Sequence, residues 1–237
     1  MSTYTDTSAH VMEGFKLDKK GNNEDILVEY GAGNSATKGP FLVDRVYKTA
    51  STDGEITVQA DAYNIESCDK IKLSAKDGFE FTHSVNNVKN NIERGDIILV
   101  NVDSKGRVTN ATVYYDYSRR NDPSYEPQKG WVIGNGTWQN DSVSYLLAAY
   151  LKSFDDGLLR FKYSSKITAE DLNEDNYTSY DWATKNDAKS TLVYDGRNIT
   201  VGTEADIVPA TITGVDEAPL YWFTTRYARV KGAVIYK

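Results

Sequence analysis

The sequence of 237 residues predicts an all-β protein with two related small β-barrel or sandwich modules, preceded by an extended N-terminal arm. Seventeen tyrosines accompany only two methionines and five prolines, and aromatic side chains suit the pleated, half-buried surface of a strand. Short segments of alternating apolar residues recur along the chain, separated by turns that contain glycine. A third observation is a strand-like segment that occurs twice.

The arm is predicted to cover residues 1–39, which are rich in Ser, Thr, Gly, Asn and charge. Only Glu24–Gly31 alternates like a strand. Arms of this kind either remain disordered or become ordered on a neighbouring subunit. The sequence leaves both alternatives open.

The first module is expected over residues 40–118. A strand beginning at Phe41 leads into the turn Ser51–Gly54, where Asp-Gly supplies a left-handed position typical of hairpins. A second hairpin surrounds the turn Asp103–Gly106. Shorter strands are expected between the two hairpins.

The repeated segment is RVTNATVYY (Arg107–Tyr115), which matches RVKGAVIYK (Arg229–Lys237) at four of nine positions and at an offset of 122 residues. A second match, in the same order, aligns STDGEITV with FDDGLLRF and places Gly54 over Gly157 at an offset of 103. Two matches in the same order predict an internal duplication of a small β-module. The roughly 19 additional residues of the second copy are expected at about 164–190.

The second module is expected over residues 129–237, after a proline-containing linker at 119–128. Ser144–Phe154 contains strong helix formers, but the duplication aligns it with the strand from Phe41, so a strand is predicted. A short helix is expected at Thr168–Asp175.

The sequence predicts that the protein is not an enzyme and that it binds no cofactor. There are only two histidines: His10 lies in the arm, and His83 alternates with apolar residues on a predicted strand. The nucleophile elbow, the P-loop and the zinc-protease and dithiol motifs are all missing from the sequence. The duplication makes Asp156 a turn residue rather than half of a catalytic carboxylate pair.

No metal site is predicted. Asp171, Asn173 and Asp175 have the alternate spacing of a calcium loop, but Asn176 stands where that loop needs glycine and Trp182 where it needs glutamate. The tripeptide Arg-Gly-Asp at 94–96 runs directly into an apolar strand, which predicts a turn rather than an adhesion loop. The single Cys68 excludes an internal disulfide and is expected to be a buried, inert thiol.

Charge and hydropathy limit the partners. A net charge of −7 disfavours binding to a phosphate backbone, so no nucleic-acid partner is expected. The chain contains no apolar run of membrane-spanning length, and its start has no signal-peptide core. A protein that is made and used without secretion is therefore expected, or a piece trimmed from a larger one.

Aromatic residues form the candidate interaction surface. Some cluster at the start of the second module and others lie in the predicted insertion, in what is expected to be a polar loop. Exposed aromatic side chains of this kind bind sugars or proteins, but they can also fold back over the end of a sheet, and both alternatives stay open. The residues of this surface are Trp131, Trp138, Tyr177, Tyr180 and Trp182.

The segment Leu192–Ile207 and the final strand resemble the small β-barrel modules of S-layer-type surface proteins of Gram-positive bacteria. The missing signal peptide makes the chain more similar to phage virion structural proteins, which often combine β-barrels with an extended arm. The resemblance covers about the last 45 residues well and Phe41–Tyr115 loosely.

The resemblance implies a structural or adhesive role without catalytic residues. The leading hypothesis is a virion structural or decoration protein that is assembled in the host cytoplasm and binds copies of itself or neighbouring structural proteins. The alternatives are a bacterial cell-surface module and a carbohydrate-binding module.

Overall fold

A computed structural model describes residues 12–14, 27–29, 36–50, 54–120, 122, 125, 131–133, 144–163, 180–208, 220–226 and 229–237. Most of these residues are in β-strands, which confirms the predicted all-β class. The helical elements among them are two 3₁₀ turns at Tyr117–Arg119 and Glu204–Asp206. The predicted helix at 168–175 lies outside the described residues.

Nine strands lie among the described residues of the first half. They are β1 (Met12–Gly14), β2 (Leu27–Glu29), β3 (Ala36–Ala50), β4 (Ile56–Asn64), β5 (Lys70–Ser74), β6 (Thr82–Val85), β7 (Val88–Asn91), β8 (Ile97–Val102) and β9 (Val108–Tyr115). β1 and β2 pair with each other within the predicted arm. β3 begins at Ala36, ahead of the expected end of the arm.

Eight strands follow in the part of the second half that the structure describes. They are β10 (Trp131–Ile133), β11 (Ser144–Asp155), β12 (Leu158–Tyr163), β13 (Tyr180–Asn186), β14 (Thr191–Tyr194), β15 (Ile199–Gly202), β16 (Leu220–Arg226) and β17 (Arg229–Tyr236). The predicted strand at 144–154 is confirmed by β11.

The two halves have the same strand order. The first sheet runs β5-β4-β3-β8-β9, and the second half contains the matching run β13-β12-β11-β16-β17. A parallel bridge between Ala75 and Val108 joins the two ends of the first run, and parallel pairing of Asn186 with Val230 joins those of the second. The strand order and a parallel pairing at this position are thus common to the two halves.

The additional residues of the second half are distributed differently from the expectation. The connection between β4 and β5 covers residues 65–69, whereas the one between β12 and β13 covers residues 164–179. Residues 180–186 form β13 and are not part of an inserted loop. A second long connection, 207–219, precedes β16. The prediction assigned all the additional residues to 164–190 because no matched segment lies between Phe161 and Arg229, so the repeat could not divide them between two connections.

Three clusters of buried apolar side chains form the core. One lies within the first half and one within the second. The third, here called the shared core, joins the two halves. It consists of Leu42, Ile65, Cys68, Ile97, Leu99, Tyr114, Tyr115, Leu192, Tyr194, Val234 and Tyr236.

Candidate functional site

The turn Glu93–Asp96, here called the inter-half turn, connects the first half to the second. The Arg94 guanidinium donates a hydrogen bond to the carbonyl oxygen of Arg197 at 2.8 Å. The Tyr236 hydroxyl donates to the carbonyl oxygen of Gly95 at 2.7 Å. Both bonds cross from one half to the other, so this turn fixes their relative position.

Glycine is required at the centre of this turn. Gly95 has a φ of +91°, which side chains rarely adopt. A Cβ at this position would also lie 2.5 Å from Cε1 of the Tyr194 ring. The backbone of the first half can therefore approach an aromatic ring of the second only because residue 95 has no side chain.

The prediction that Arg94–Asp96 is a turn at the start of a strand is confirmed, since β8 begins at Ile97. Asp96 is only 1% exposed. An adhesion tripeptide must present its aspartate to a receptor, and this aspartate faces the protein interior.

Asp96 holds the turn through two backbone hydrogen bonds. Its carboxylate accepts from the N–H of Glu93 at 2.8 Å and from the N–H of Tyr117 at 2.9 Å. The pKa of Asp96 is raised to about 7, mainly by burial and also by the nearby charge of Asp116, although these two bonds act in the opposite direction. An acid that titrates near neutrality therefore lies at the contact between the halves.

The second half contains the same kind of turn. The Asp206 carboxylate accepts a hydrogen bond from the backbone N–H of Thr203 at 2.9 Å, as Asp96 does from Glu93. Buried isoleucines, Ile97 and Ile207, follow the two aspartates directly. This third correspondence was not recognised in the sequence, where only Asp-Ile is common to the two segments.

Asp116, which is also buried, lies at the end of β9. Its carboxylate accepts a hydrogen bond from the Ser118 hydroxyl at 2.6 Å, and the His83 imidazole lies 3.5 Å away. The backbone N–H of Asp116 donates to the Tyr125 hydroxyl oxygen at 2.5 Å. His83 on β6 is thus partly buried beside a carboxylate. The contacts of Asp116 with Ser118 and Tyr125 fix the start of the linker.

Four tyrosine rings surround these contacts. The Tyr117 ring stacks on Tyr236 with centroids 5.5 Å apart and meets Tyr194 edge-on at 4.8 Å. Tyr115 meets Tyr236 edge-on at 5.0 Å. Sequence reasoning noted the abundance of tyrosine but did not place these residues together, because these contacts join positions 77 or more residues apart in the chain.

An open groove of about 470 Å³ lies beside β3 and is lined by Asp44–Lys48, Val58, Phe81 and Asn91–Arg94. The Tyr47 ring in this groove has the Arg45 guanidinium 4.8 Å from its centroid. Arg45 and Tyr47 both donate hydrogen bonds to Asp61, at 2.8 and 3.0 Å. Burial raises the pKa of Asp61, but these bonds outweigh it and the pKa is lowered overall. The ring is covered by a cation and is not a free stacking platform for a sugar.

The predicted interaction surface is only partly described. Trp131 lies on β10, and Tyr180 and Trp182 lie on β13. Trp138 and Tyr177 lie outside the described residues, as do the calcium-like positions Asp171, Asn173 and Asp175.

Tyr180 and Trp182 were expected in a polar loop, and this placement is wrong. Trp182 pairs with Phe161 and Tyr180 with Tyr163 across β12 and β13. The polar residues between and after them made this segment resemble a loop, but alternation of aromatic and polar residues is also the pattern of a strand. By register, Trp182 is equivalent to Ile71 on β5.

Within the described part of the chain, no helix is long and apolar enough to cross a membrane. The same residues contain no group of three or more His, Cys, Asp or Glu side chains placed to hold a metal ion.

Comparison with family models, with curated proteins and with solved structures gives no match for this chain. The resemblance to surface-layer modules and to virion proteins therefore stays a prediction from the sequence.

Proposed function

We propose that this protein is a non-enzymatic structural subunit of a larger assembly, most concretely a phage virion structural or decoration protein. Its partners would be copies of itself or neighbouring structural proteins. The shared core is the observation that carries this proposal. Modules that act independently are connected by small, polar interfaces, whereas here eleven buried residues from both halves form one cluster.

A fixed geometry is what a building block needs, because each of its surfaces must meet a neighbour at a defined angle. The inter-half turn and Gly232 supply such a constraint. A Cβ on Gly232 would meet the backbone of Ile65 and Glu66, so β17 lies directly against a turn of the first half.

The buried acids also support a structural role. Asp96 and Asp116 are occupied by hydrogen bonds to backbone and hydroxyl groups that organise turns. A carboxylate used in catalysis must instead reach a substrate.

The proposal is tested by removing the arm and measuring the mass distribution by mass photometry. The deletion should cover residues 1–35, because β3 begins at Ala36. We expect the full chain to form oligomers and the shortened chain to remain folded but monomeric. Circular dichroism and thermal melting of the shortened chain are the controls for folding.

A full chain that stays monomeric at all concentrations, or a shortened chain with an unchanged oligomer, contradicts the proposal. Negative-stain microscopy of the assemblies separates the two structural settings. Rings or tubes favour a virion component, whereas a flat two-dimensional lattice favours a bacterial surface layer.

A further inference from the structure

The equivalent strands β3 and β11 have one difference that points to a docking position. β3 and β11 are equivalent: each pairs with β8 or β16 on one side, and each pairs further along with β4 or β12 on the other, across a bulge. Aligned on these bulges, Ala36–Lys38 corresponds to Ser144–Leu146. These are the first three residues of each strand.

In the second half, this segment has a partner on both sides. Ser144–Leu146 pairs with β16 on one side and with β10 on the other. In the register with β10, Trp131 is paired with Leu146 and Ile133 with Ser144. The module therefore has room for a short antiparallel strand at this position.

In the first half, among the described residues, Ala36–Lys38 pairs only with β8. The opposite side, here called the open edge, is the position that β10 occupies in the second half. Thr37 and Lys38 are exposed. Unpaired N–H and C=O groups on an edge strand are a template for another strand.

The strand that fits this edge is β2. It is three residues long and apolar at Leu27 and Val28, like β10, and it precedes β3 as β10 precedes β11. Among the described residues β2 pairs only with β1, in a two-stranded sheet with three residue pairs. A sheet of this size is marginally stable alone and gains by joining a larger one.

We infer that the open edge Ala36–Lys38 binds the β1–β2 hairpin of a second copy of this chain, with β2 antiparallel to β3. A second copy is indicated because, among the described residues, β2 of the same chain pairs only with β1 and the open edge has no partner strand. This inference rests on the proposed function and names the contact through which copies would assemble.

The test is a cross-linking experiment with two differently tagged chains, both carrying Cys68→Ala. One chain has Val28→Cys and the other has Thr37→Cys. After mixing and mild oxidation, we expect a covalent heterodimer on a non-reducing gel. A matched control replaces Thr37→Cys with Ser104→Cys, an exposed position in the turn before β9, and should give at least tenfold less heterodimer.

A second variant, Val28→Pro, tests the backbone pairing of β2 and leaves the two large sheets unchanged, because Val28 lies in neither of them and proline cannot donate a ladder hydrogen bond. We expect it to abolish the oligomer and leave the melting temperature unchanged, whereas Lys19→Pro, elsewhere in the arm, should leave the oligomer intact.

Several outcomes overturn the inference. A link that forms only within a single chain carrying both Val28→Cys and Thr37→Cys shows that β2 fills its own edge. Oligomers without the heterodimer show that the chain assembles through another surface, and the proposed function then survives. A full chain that never assembles removes both the inference and the proposed function.

Discussion

The last strands of the two halves, β9 and β17, begin alike and end in different surroundings. Val108 and Val230 are both buried, as are Ala111 and Ala233 three residues later. Partly exposed and exposed residues interrupt the buried residues of β9, whereas β17 is buried without interruption from Gly232 to Tyr236.

The difference in burial between β9 and β17 follows from the number of strands that pair with each of them. β9 pairs with β8 and has one parallel bridge, while β17 lies between β16, β13 and β14. A strand covered on both faces needs a continuous apolar sequence, and GAVIY in β17 replaces NATVY in β9. One hairpin pattern thus serves as a sheet margin in the first half and as the centre of the structure in the second.

The largest expected effect comes from the tightest contact of β17. Gly232→Ala would place a methyl group against the Ile65 carbonyl oxygen, and backbone cannot move aside cheaply, so we expect a loss of about 3 kcal/mol in the free energy of unfolding. Gly106, before β9, has a φ of +76° but open space around it. Gly106→Ala should therefore lower the free energy of unfolding by only about 1 kcal/mol. Urea unfolding measures both, and equal losses would contradict the close contact between the halves.

Removal of the hydroxyl group that joins the halves should have the next largest effect. Tyr236→Phe leaves the buried carbonyl of Gly95 without its donor, which should cost about 2 kcal/mol. The Tyr194 hydroxyl makes a longer bond of 3.5 Å to the carbonyl of Arg94, so Tyr194→Phe should cost about 0.5 kcal/mol. Equal melting temperatures for Tyr236→Phe and Tyr194→Phe would contradict the prediction that the Tyr236 hydroxyl makes the stronger contact.

The two equivalent turns should differ in their response to pH. Burial gives Asp96 a folded-state pKa of about 7, above its ordinary value of 3.8, so the folded protein binds this proton more tightly than the unfolded chain. The stability from this group is complete at low pH and is lost as the pH rises through 7, by about 1.4 kcal/mol between pH 6 and pH 8.

Asp96→Asn should therefore flatten the dependence of the melting temperature on pH between 6 and 8, whereas Asp206→Asn should leave it in place. Because the His83 imidazole lies near Asp116, the series is repeated with His83→Gln. A slope that persists in Asp96→Asn contradicts this prediction.

The smallest effect is expected at the exposed part of the contact. Arg94 donates through Nε to the Asp44 carbonyl and through Nη1 to the Arg197 carbonyl, and a lysine cannot make both bonds. Because the side chain is about half exposed, Arg94→Lys should cost at most about 1 kcal/mol. Arg119→Lys, which changes a pair with Asp122 inside the linker, is the matched control. A cost as large as that of Tyr236→Phe would show that the contact does not weaken towards the surface.

The sequence predicted the strands that its local pattern describes. The Asp-Gly turns, the alternating segments and the repeated Arg-Val pair located β3, β4, β8, β9, β11, β12 and β17. The duplication was the stronger guide at Ser144–Phe154, where helix propensity alone points to the wrong structure.

The contact between the halves could not be predicted in the same way. Gly95 and Tyr194, or Ile65 and Gly232, are far apart in the chain, and their types are explained only by the partner that each meets. One signal was present: the unbroken apolar run of β17 indicates a strand with two covered faces. The position of β13 was missed because polar residues separate and follow Tyr180 and Trp182, which made the segment resemble a loop.

Cys68 lies in the shared core, and burial raises the pKa of its thiol. Since it is the only cysteine in the chain, the rate at which a thiol reagent labels the native protein reports how often the two halves come apart. Labelling that accelerates in Gly232→Ala but not in Gly106→Ala would show that this opening is governed by the contact at β17, and no engineered probe is needed to see it.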